Sequence, residues 1–214
     1  VETQKNNNKS WPISIVAAVM LIGSYFAIQH WFGDLDDKLV EYERFEIAPT
    51  FELPLQKLVK PDSLAGKKNV TLADLKGHAV LLHFWASWCA PCREEKPILA
   101  ELVKKHQDGS MIVIGVSSYE TEVALRSSGM LEDAPFTVLL DEEGTTAVSY
   151  KVRAIPQSVL IDGEGRVRYR VKGQLNSQEI AALDEVLETM RTEKKASTAG
   201  MHTQDKASTA AVTL

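Results

Sequence analysis

FWASWCAPCREEKP, residues Phe84 to Pro97, decides the reading of this chain. Just upstream, Ala79 to Trp85 (AVLLHFW) is a nearly continuous apolar run, the pattern of a central strand buried on both faces. Downstream, from Ala90 to Gln107, Ile98, Leu99, Leu102 and Val103 recur at helical spacing. The pair Cys89 and Cys92 therefore falls where a buried strand hands over to a helix. Unpaired backbone N–H groups and the helix dipole favour an anion at that point. A thiolate at Cys89 is stabilised there, and the thiolate is the species that attacks disulfides. Pro91 suits the first helical turn, where its missing N–H costs nothing. Cys92, one turn further in, is expected to be less exposed and placed to resolve a mixed disulfide, releasing the reduced substrate.

The rest of the composition narrows the chemistry. The chain has 214 residues, enough for one domain with extensions. Its only two cysteines are three positions apart, so they cannot staple distant parts of a fold. They form a reactive pair or half of a metal site. A zinc site needs further ligands, yet there is no second C-x-x-C or H-x-x-x-H, and the five histidines are scattered. No metal site and no cofactor beyond the redox-active Cys89–Cys92 pair is expected. Copper binding by the pair stays as an alternative. The 24 basic and 29 acidic residues are interspersed, with a net charge of −5, unlike the basic stripe of a nucleic-acid binder.

Trp11 to Phe32 contains no charged residue and is long enough to cross a bilayer as a helix. Trp11 lies at one end and Tyr25, Phe26, Trp31 and Phe32 lie toward the other, matching interfacial aromatic belts. Lys5 and Lys9 precede the segment, which puts residues 1–10 in the cytoplasm and the remainder across the membrane. A cleaved signal peptide is the competing reading, but the apolar stretch is long and no clear A-x-A site follows it. A core helix is the other, but the segment is apolar on every face. Residues 33–50 read as a linker, 51–190 as the domain and 191–214 as a disordered tail without apolar periodicity, in which KASTA occurs twice.

Within the domain, FELPL (Phe51 to Leu55) reads as the first contact with the core, and Asn69 to Gly77 as a short extended piece and a turn. Met111–Val116, Thr137–Leu140, Gln157–Ile161 and Arg166–Val171 read as further strands, the last two joined by the turn signal DGEG. Glu120–Gly129 suits a helix ending at glycine, and Asn176 caps a last helix running to about Met190. This is an α/β order: a parallel βαβ unit followed by an antiparallel hairpin.

WASWCAPC followed by REEKP resembles the thioredoxin superfamily. The apolar N-terminal segment, FELP, VTLADLKG and LIDGEGRVRYRVKG are similar to its membrane-anchored extracytoplasmic TlpA/ResA/DsbE (CcmG) branch. The resemblance covers about Phe51 to Met190. It implies a thioredoxin fold, a central mixed β-sheet flanked by helices, with an N-terminal transmembrane helix. It implies an enzyme, a thiol–disulfide oxidoreductase reducing disulfides in client proteins, among them apocytochrome c in cytochrome c maturation. It also implies electrons received from a DsbD- or CcdA-type membrane protein and a location at the inner (cytoplasmic) membrane with the domain in the periplasm or its equivalent. A disulfide oxidase or isomerase is the alternative within the same class, although Ala90–Pro91 is closer to the dipeptide of reducing members than to that of strong oxidants. A peroxidase is disfavoured, since Ala86 stands three before Cys89, where such enzymes carry Thr or Ser.

The resemblance also assigns supporting residues. Ile155–Pro156 is implied to be a cis peptide facing the cysteines. Gln157 follows it, where the DsbE subgroup usually carries Glu. His83, six before Cys89, occupies the place of an acid that moves a proton from the buried cysteine; it serves that role or is a core histidine satisfied by a backbone partner. Glu95, three after Cys92, tunes that thiol or is a solvated first-turn acid. Trp85 is assigned to the core, Trp88 to covering Cys89, and Pro97 to a helix kink. Ala90 stands where ResA-like members have Glu, so acid-linked tuning from that position is absent.

Overall fold

The computed structural model describes residues 46–210 and gives side-chain surroundings for residues 46–196. The expected anchor and most of the linker lie outside the described residues.

The strand upstream of the cysteines is β3 (Val80–Trp85), and all six of its residues are buried. It lies inside a seven-stranded sheet built from β1 (Glu52–Lys57), β2 (Asn69–Thr71), β3, β4 (Ile112–Ser118), β5 (Thr137–Asp141), β6 (Gln157–Ile161) and β7 (Val167–Lys172), in the order β2-β1-β5-β4-β3-β6-β7. β3, β4 and β5 run parallel, while β1, β6 and β7 add antiparallel pairs. The helices are α1 (Ala90–Glu94), α2 (Lys96–Lys105), α3 (Glu122–Ser127), α4 (Thr145–Ser149) and α5 (Ser177–Ala210).

Because side chains alternate along a strand, β3 feeds two cores. Leu81 and Trp85 join Leu99, Leu102, Leu183 and Leu187 from α2 and α5. Val80, Leu82 and Phe84 join Leu64, Leu75, Tyr150 and Ile161 on the other face. His83 shares the parity of Leu81 and Trp85, so it points toward the helices that follow the cysteines.

Local signals act as the chain chemistry dictates. Asn176 Oδ1 accepts from the backbone N–H groups of Gln178 (2.8 Å) and Glu179 (3.0 Å), capping α5. Asp162 Oδ1 accepts from the N–H groups of Glu164 (3.0 Å) and Arg166 (2.9 Å), closing the turn between β6 and β7.

Two boundaries differ from the sequence reading. Residues 46–50 belong to the domain and not to the linker. Ala48 is buried and its N–H donates to Gly165 O (2.8 Å), while Val167 N–H donates to Glu46 O (2.8 Å). Short segments with one apolar side chain turned inward carry no periodicity that would reveal them. The tail is also not disordered from Arg191, since α5 continues to Ala210. Arg191 to Ala199 contains no proline or glycine and several strong helix formers, and extending an existing helix avoids the cost of nucleation.

Candidate active site

Cys89 and Cys92 are joined as a disulfide. Cys89 is the N-cap residue of α1, with an extended backbone, and its sulfur accepts from the Cys92 N–H (3.3 Å). Both cysteines are buried in this oxidised state, so exposure alone does not rank them. Position does. The Cys89 sulfur lies 3.9 Å from the carbonyl oxygen of Ile155, across the interface with the following strand. Cys92 instead lines a small inner pocket together with His83, Trp85, Leu99 and Phe136. The peptide Ile155–Pro156 is cis, as is Lys60–Pro61, which the sequence reading did not single out.

Pro97 divides the helical run that follows. α1 ends at Glu94 and α2 begins at Lys96, with Glu95 at the break. Proline cannot donate to the carbonyl one turn back, so the helix is interrupted there. The break directs Glu95 inward. Its side chain is 1% exposed, which corrects the picture of a solvated first-turn acid.

Glu95 meets His83 beneath the disulfide. Glu95 Oε1 is 3.3 Å from His83 Nε2, and both side chains are 1% exposed. Neither atom has a well-directed hydrogen bond among the described residues. On its other side, Glu95 Oε2 accepts the N–H of Leu175 (2.8 Å), and His83 Nδ1 is 3.0 Å from Ser158 Oγ. Ser158 is the cross-strand partner of His83 in β6, and Gly115 is its partner in β4. The Phe136 ring packs edge-on to the imidazole at 5.9 Å. Burial pushes the Glu95 carboxyl up to about 7, partly opposed by the Leu175 N–H, and holds the imidazole down at about 3. Desolvation disfavours charge on both, so the pair is most stable with one proton, held as a neutral acid beside a neutral imidazole.

A second buried carboxylate, Glu120, escaped the sequence reading. Its Oε1 accepts the N–H of Ser87 (2.8 Å), and the hydroxyls of Ser87 and Ser117 also donate to it. The carbonyl of the same Ser87 accepts from Arg93 Nη1 (3.0 Å). Every polar group of Ser87 is thereby occupied, and the chain entering Cys89 is fixed from both sides. No local motif connects positions 87 and 120. Only the parallel pairing of β3 with β4 brings the loops after them together.

The remaining sequence candidates fall as follows. Trp85 is buried, whereas Trp88 is 58% exposed. Pro91 lies in the first turn of α1. Pro156 immediately precedes β6, and Gln157, its first residue, is buried.

Residues 46–170 match the model of the AhpC/TSA family. The chain belongs to that family. Among its relatives, the thiol-disulfide oxidoreductase ResA of Bacillus thuringiensis subsp. konkukian is 35% identical over 117 residues, 55% of this chain and 67% of that protein. The thioredoxin-like protein YneN of Bacillus subtilis is 30% identical over 175 residues, 80% of this chain and 95% of that one. The thiol:disulfide interchange protein DsbE of Xylella fastidiosa strain Temecula1 is 39% identical over 134 residues, 62% of this chain and 63% of that one. The solved structure of a DsbE-type thiol:disulfide interchange protein from Chlorobium tepidum superposes with a TM-score of 0.58 at 29% identity, covering 70% of this chain and 99% of that one. The fold is therefore thioredoxin-like, a mixed sheet flanked by helices. Within the AhpC/TSA family this chain is a thiol–disulfide oxidoreductase, and its relatives' activity agrees with the C-x-x-C pair at the start of α1.

Proposed function

We propose that this oxidoreductase reduces disulfides of client proteins outside the cytoplasm, anchored in the cytoplasmic membrane by Trp11 to Phe32. The observation that carries the chemistry is Cys89 at the N-cap of α1 with a buried proton-holding pair, His83 and Glu95, beneath Cys92. Anchoring and side rest on the uncharged N-terminal segment and on Lys5 and Lys9 before it.

In the reduced enzyme the Cys89 thiolate attacks one sulfur of the client disulfide. A new S–S bond forms and the client's other sulfur leaves as a thiolate, which takes a proton from water. Cys92 then gives up its proton, and its thiolate attacks the Cys89 sulfur. The Cys89–Cys92 bond forms, the second client sulfur is released, and the client has gained two electrons. When Glu95 is ionised, His83 with Nδ1–H directed at Ser158 presents Nε2 to take the Cys92 proton and pass it to the Glu95 carboxylate. A carboxyl poised near 7 exchanges that proton at working pH. Returning to the dithiol needs two electrons from outside, supplied in this reading by a DsbD- or CcdA-type membrane dithiol. An anchor raises the effective concentration of such a donor. Clients include apocytochromes c in this reading, by analogy with the branch the sequence resembles.

The test is trapping in cells. Cys92→Ala leaves Cys89 able to attack but removes the resolving thiol, so mixed disulfides with clients accumulate. The parent pair should be reduced when the donor is present and oxidised when it is deleted. A reducing potential resembles the value of about −270 mV of thioredoxin, against about −120 mV for the oxidant DsbA. A pair that stays oxidised in both strains, with a potential near the latter, would replace the reductase reading with the oxidase one. Tight Cu(I) binding without disulfide exchange would replace both with copper assembly.

A further inference from the structure

Among the described residues, five large apolar side chains are exposed: Ile47, Trp88, Tyr119, Val123 and Val148. Four of them lie in the segments that leave the carboxyl ends of the three parallel strands. Trp88 follows β3, Tyr119 and Val123 follow β4, and Val148 follows β5. The disulfide and the Ile155 carbonyl are at this same end of the sheet. Ile47 is bridged to Arg166, at the opposite end.

Tyr119 is the unusual member. Its φ is 63°, a left-handed conformation that bulky residues rarely adopt. Such outliers persist only where their surroundings over-determine them. Here the next residue is Glu120, whose carboxylate is locked onto the N–H of Ser87 (2.8 Å) and onto the Ser87 and Ser117 hydroxyls. The left-handed turn lets consecutive residues face opposite ways, Glu120 into the junction and Tyr119 out of it. On its underside the Tyr119 ring rests on Gly144, where an added Cβ would sit 1.9 Å from Tyr119 Cε1. Gly144 leaves room for the ring, which remains 43% exposed. Trp88, 58% exposed, is the residue after Ser87. Two exposed aromatics thus flank one hydrogen-bonded junction, Trp88 between Ser87 and Cys89 and Tyr119 directly before Glu120.

We propose that Tyr119, turned outward by the Glu120–Ser87 junction, is a specificity-determining residue that favours client segments carrying an apolar side chain beside the target cysteine. The inference rests on disulfide exchange at Cys89. A client segment that reaches Cys89 and extends over the loops after β3 and β4 lies across Trp88 and Tyr119. An apolar client side chain removes ring surface from water at that point, whereas a small polar one does not.

Two peptide disulfides of equal length and charge test this, one with Leu and one with Ser flanking the cysteine, each mixed with the full reduced chain. The readout is the ratio of the two second-order exchange rates. The parent should prefer the Leu peptide by about tenfold, the scale that one apolar contact commands. Asn tolerates a left-handed backbone, so Tyr119→Asn keeps the turn while removing the ring. It should bring the ratio close to one. Tyr119→Phe should retain the preference, and so should Ile47→Ser at the far end of the sheet. Equal rates in the parent, an unchanged ratio in Tyr119→Asn, or a ratio lost equally in Ile47→Ser would overturn the assignment. Exchange with neither peptide would overturn the underlying disulfide-exchange reading instead.

Discussion

Replacing Glu95 by Gln should make the protein more stable at neutral pH while changing nothing at acid pH. Burial raises the folded-state carboxyl from an ordinary 4.5 to about 7. Between those values the unfolded chain has released the proton and the folded chain still holds it. The unfolded state then binds fewer protons, so the Glu95 contribution to stability is complete below about 4.5 and is lost as pH rises toward 7. At about 1.4 kcal/mol per pH unit, the displacement from 4.5 to about 7 corresponds to about 3 kcal/mol. His83 has the opposite sign. Its folded value is lowered from 6.5 to about 3, so its contribution is complete above 6.5 and lost as pH falls toward 3. Between 4.5 and 6.5 the two slopes cancel in the parent. The unfolded chain carries one proton on His83 and the folded chain carries one on Glu95. Gln keeps the acceptor for Leu175 N–H and can donate toward His83 Nε2, but it cannot titrate. Urea unfolding of the oxidised protein from pH 4 to 8 measures the effect without titrating cysteines. The stability difference, Glu95→Gln minus parent, should grow by about 3 kcal/mol between pH 4.5 and 7. A difference independent of pH would refute a buried, proton-holding Glu95.

His83→Ala should slow resolution of the mixed disulfide and leave the first attack by Cys89 nearly intact; stopped-flow rates for the two steps check this, and equal rates in variant and parent reduce His83 to a core residue. Gly115→Ala should destabilise the fold by about 1–3 kcal/mol through overpacking, because the new Cβ would lie 2.2 Å from Phe136 Cε2 and 2.9 Å from Trp85 Nε1. The urea midpoint measures that loss, and an unchanged midpoint would mean that the Phe136 ring moves aside freely.

The sequence was most legible where chemistry and periodicity coincide. The apolar run of β3, the C-x-x-C at its end, the DGEG turn and the Asn176 cap each carry a local signature, and each lies where that signature puts it. β1 was harder to read. It includes Pro54, Gln56 and Lys57, and only Leu53 is fully buried, so alternation does not mark it as a strand. It is held by neighbours on both sides, β2 and β5, which are distant in sequence. Helix position alone left Glu95 open between tuning Cys92 and standing as a solvated acid, because it says nothing about a break that rotates it inward. Glu120 was invisible because its partner Ser87 follows the neighbouring strand, 33 residues away. The tail was misjudged for a different reason. Lack of an apolar stripe argues against packing, not against the continuation of a helix already nucleated at Ser177.

The placement of His83 on β3 explains how the site holds a proton where water would otherwise do so. Burial is the main cause that raises the Glu95 carboxyl to about 7, and Glu95 is buried because it turns in against His83, whose strand must itself be covered by its neighbours. β3 meets that condition, with β4 on one side, β6 on the other and helices over the face that His83 shares. The same neighbours fix the imidazole. Ser158 meets one nitrogen laterally, and Gly115 on the other flank leaves the space that Phe136 fills against the ring. About 3 kcal/mol is a large part of a total stability that is typically about 5–15 kcal/mol. A core that needed only packing would avoid an arrangement so costly at neutral pH. Under the proposed mechanism, in which Cys92 loses its proton in every turnover, a buried group that titrates near neutrality has a chemical use that an apolar residue of the same volume would not.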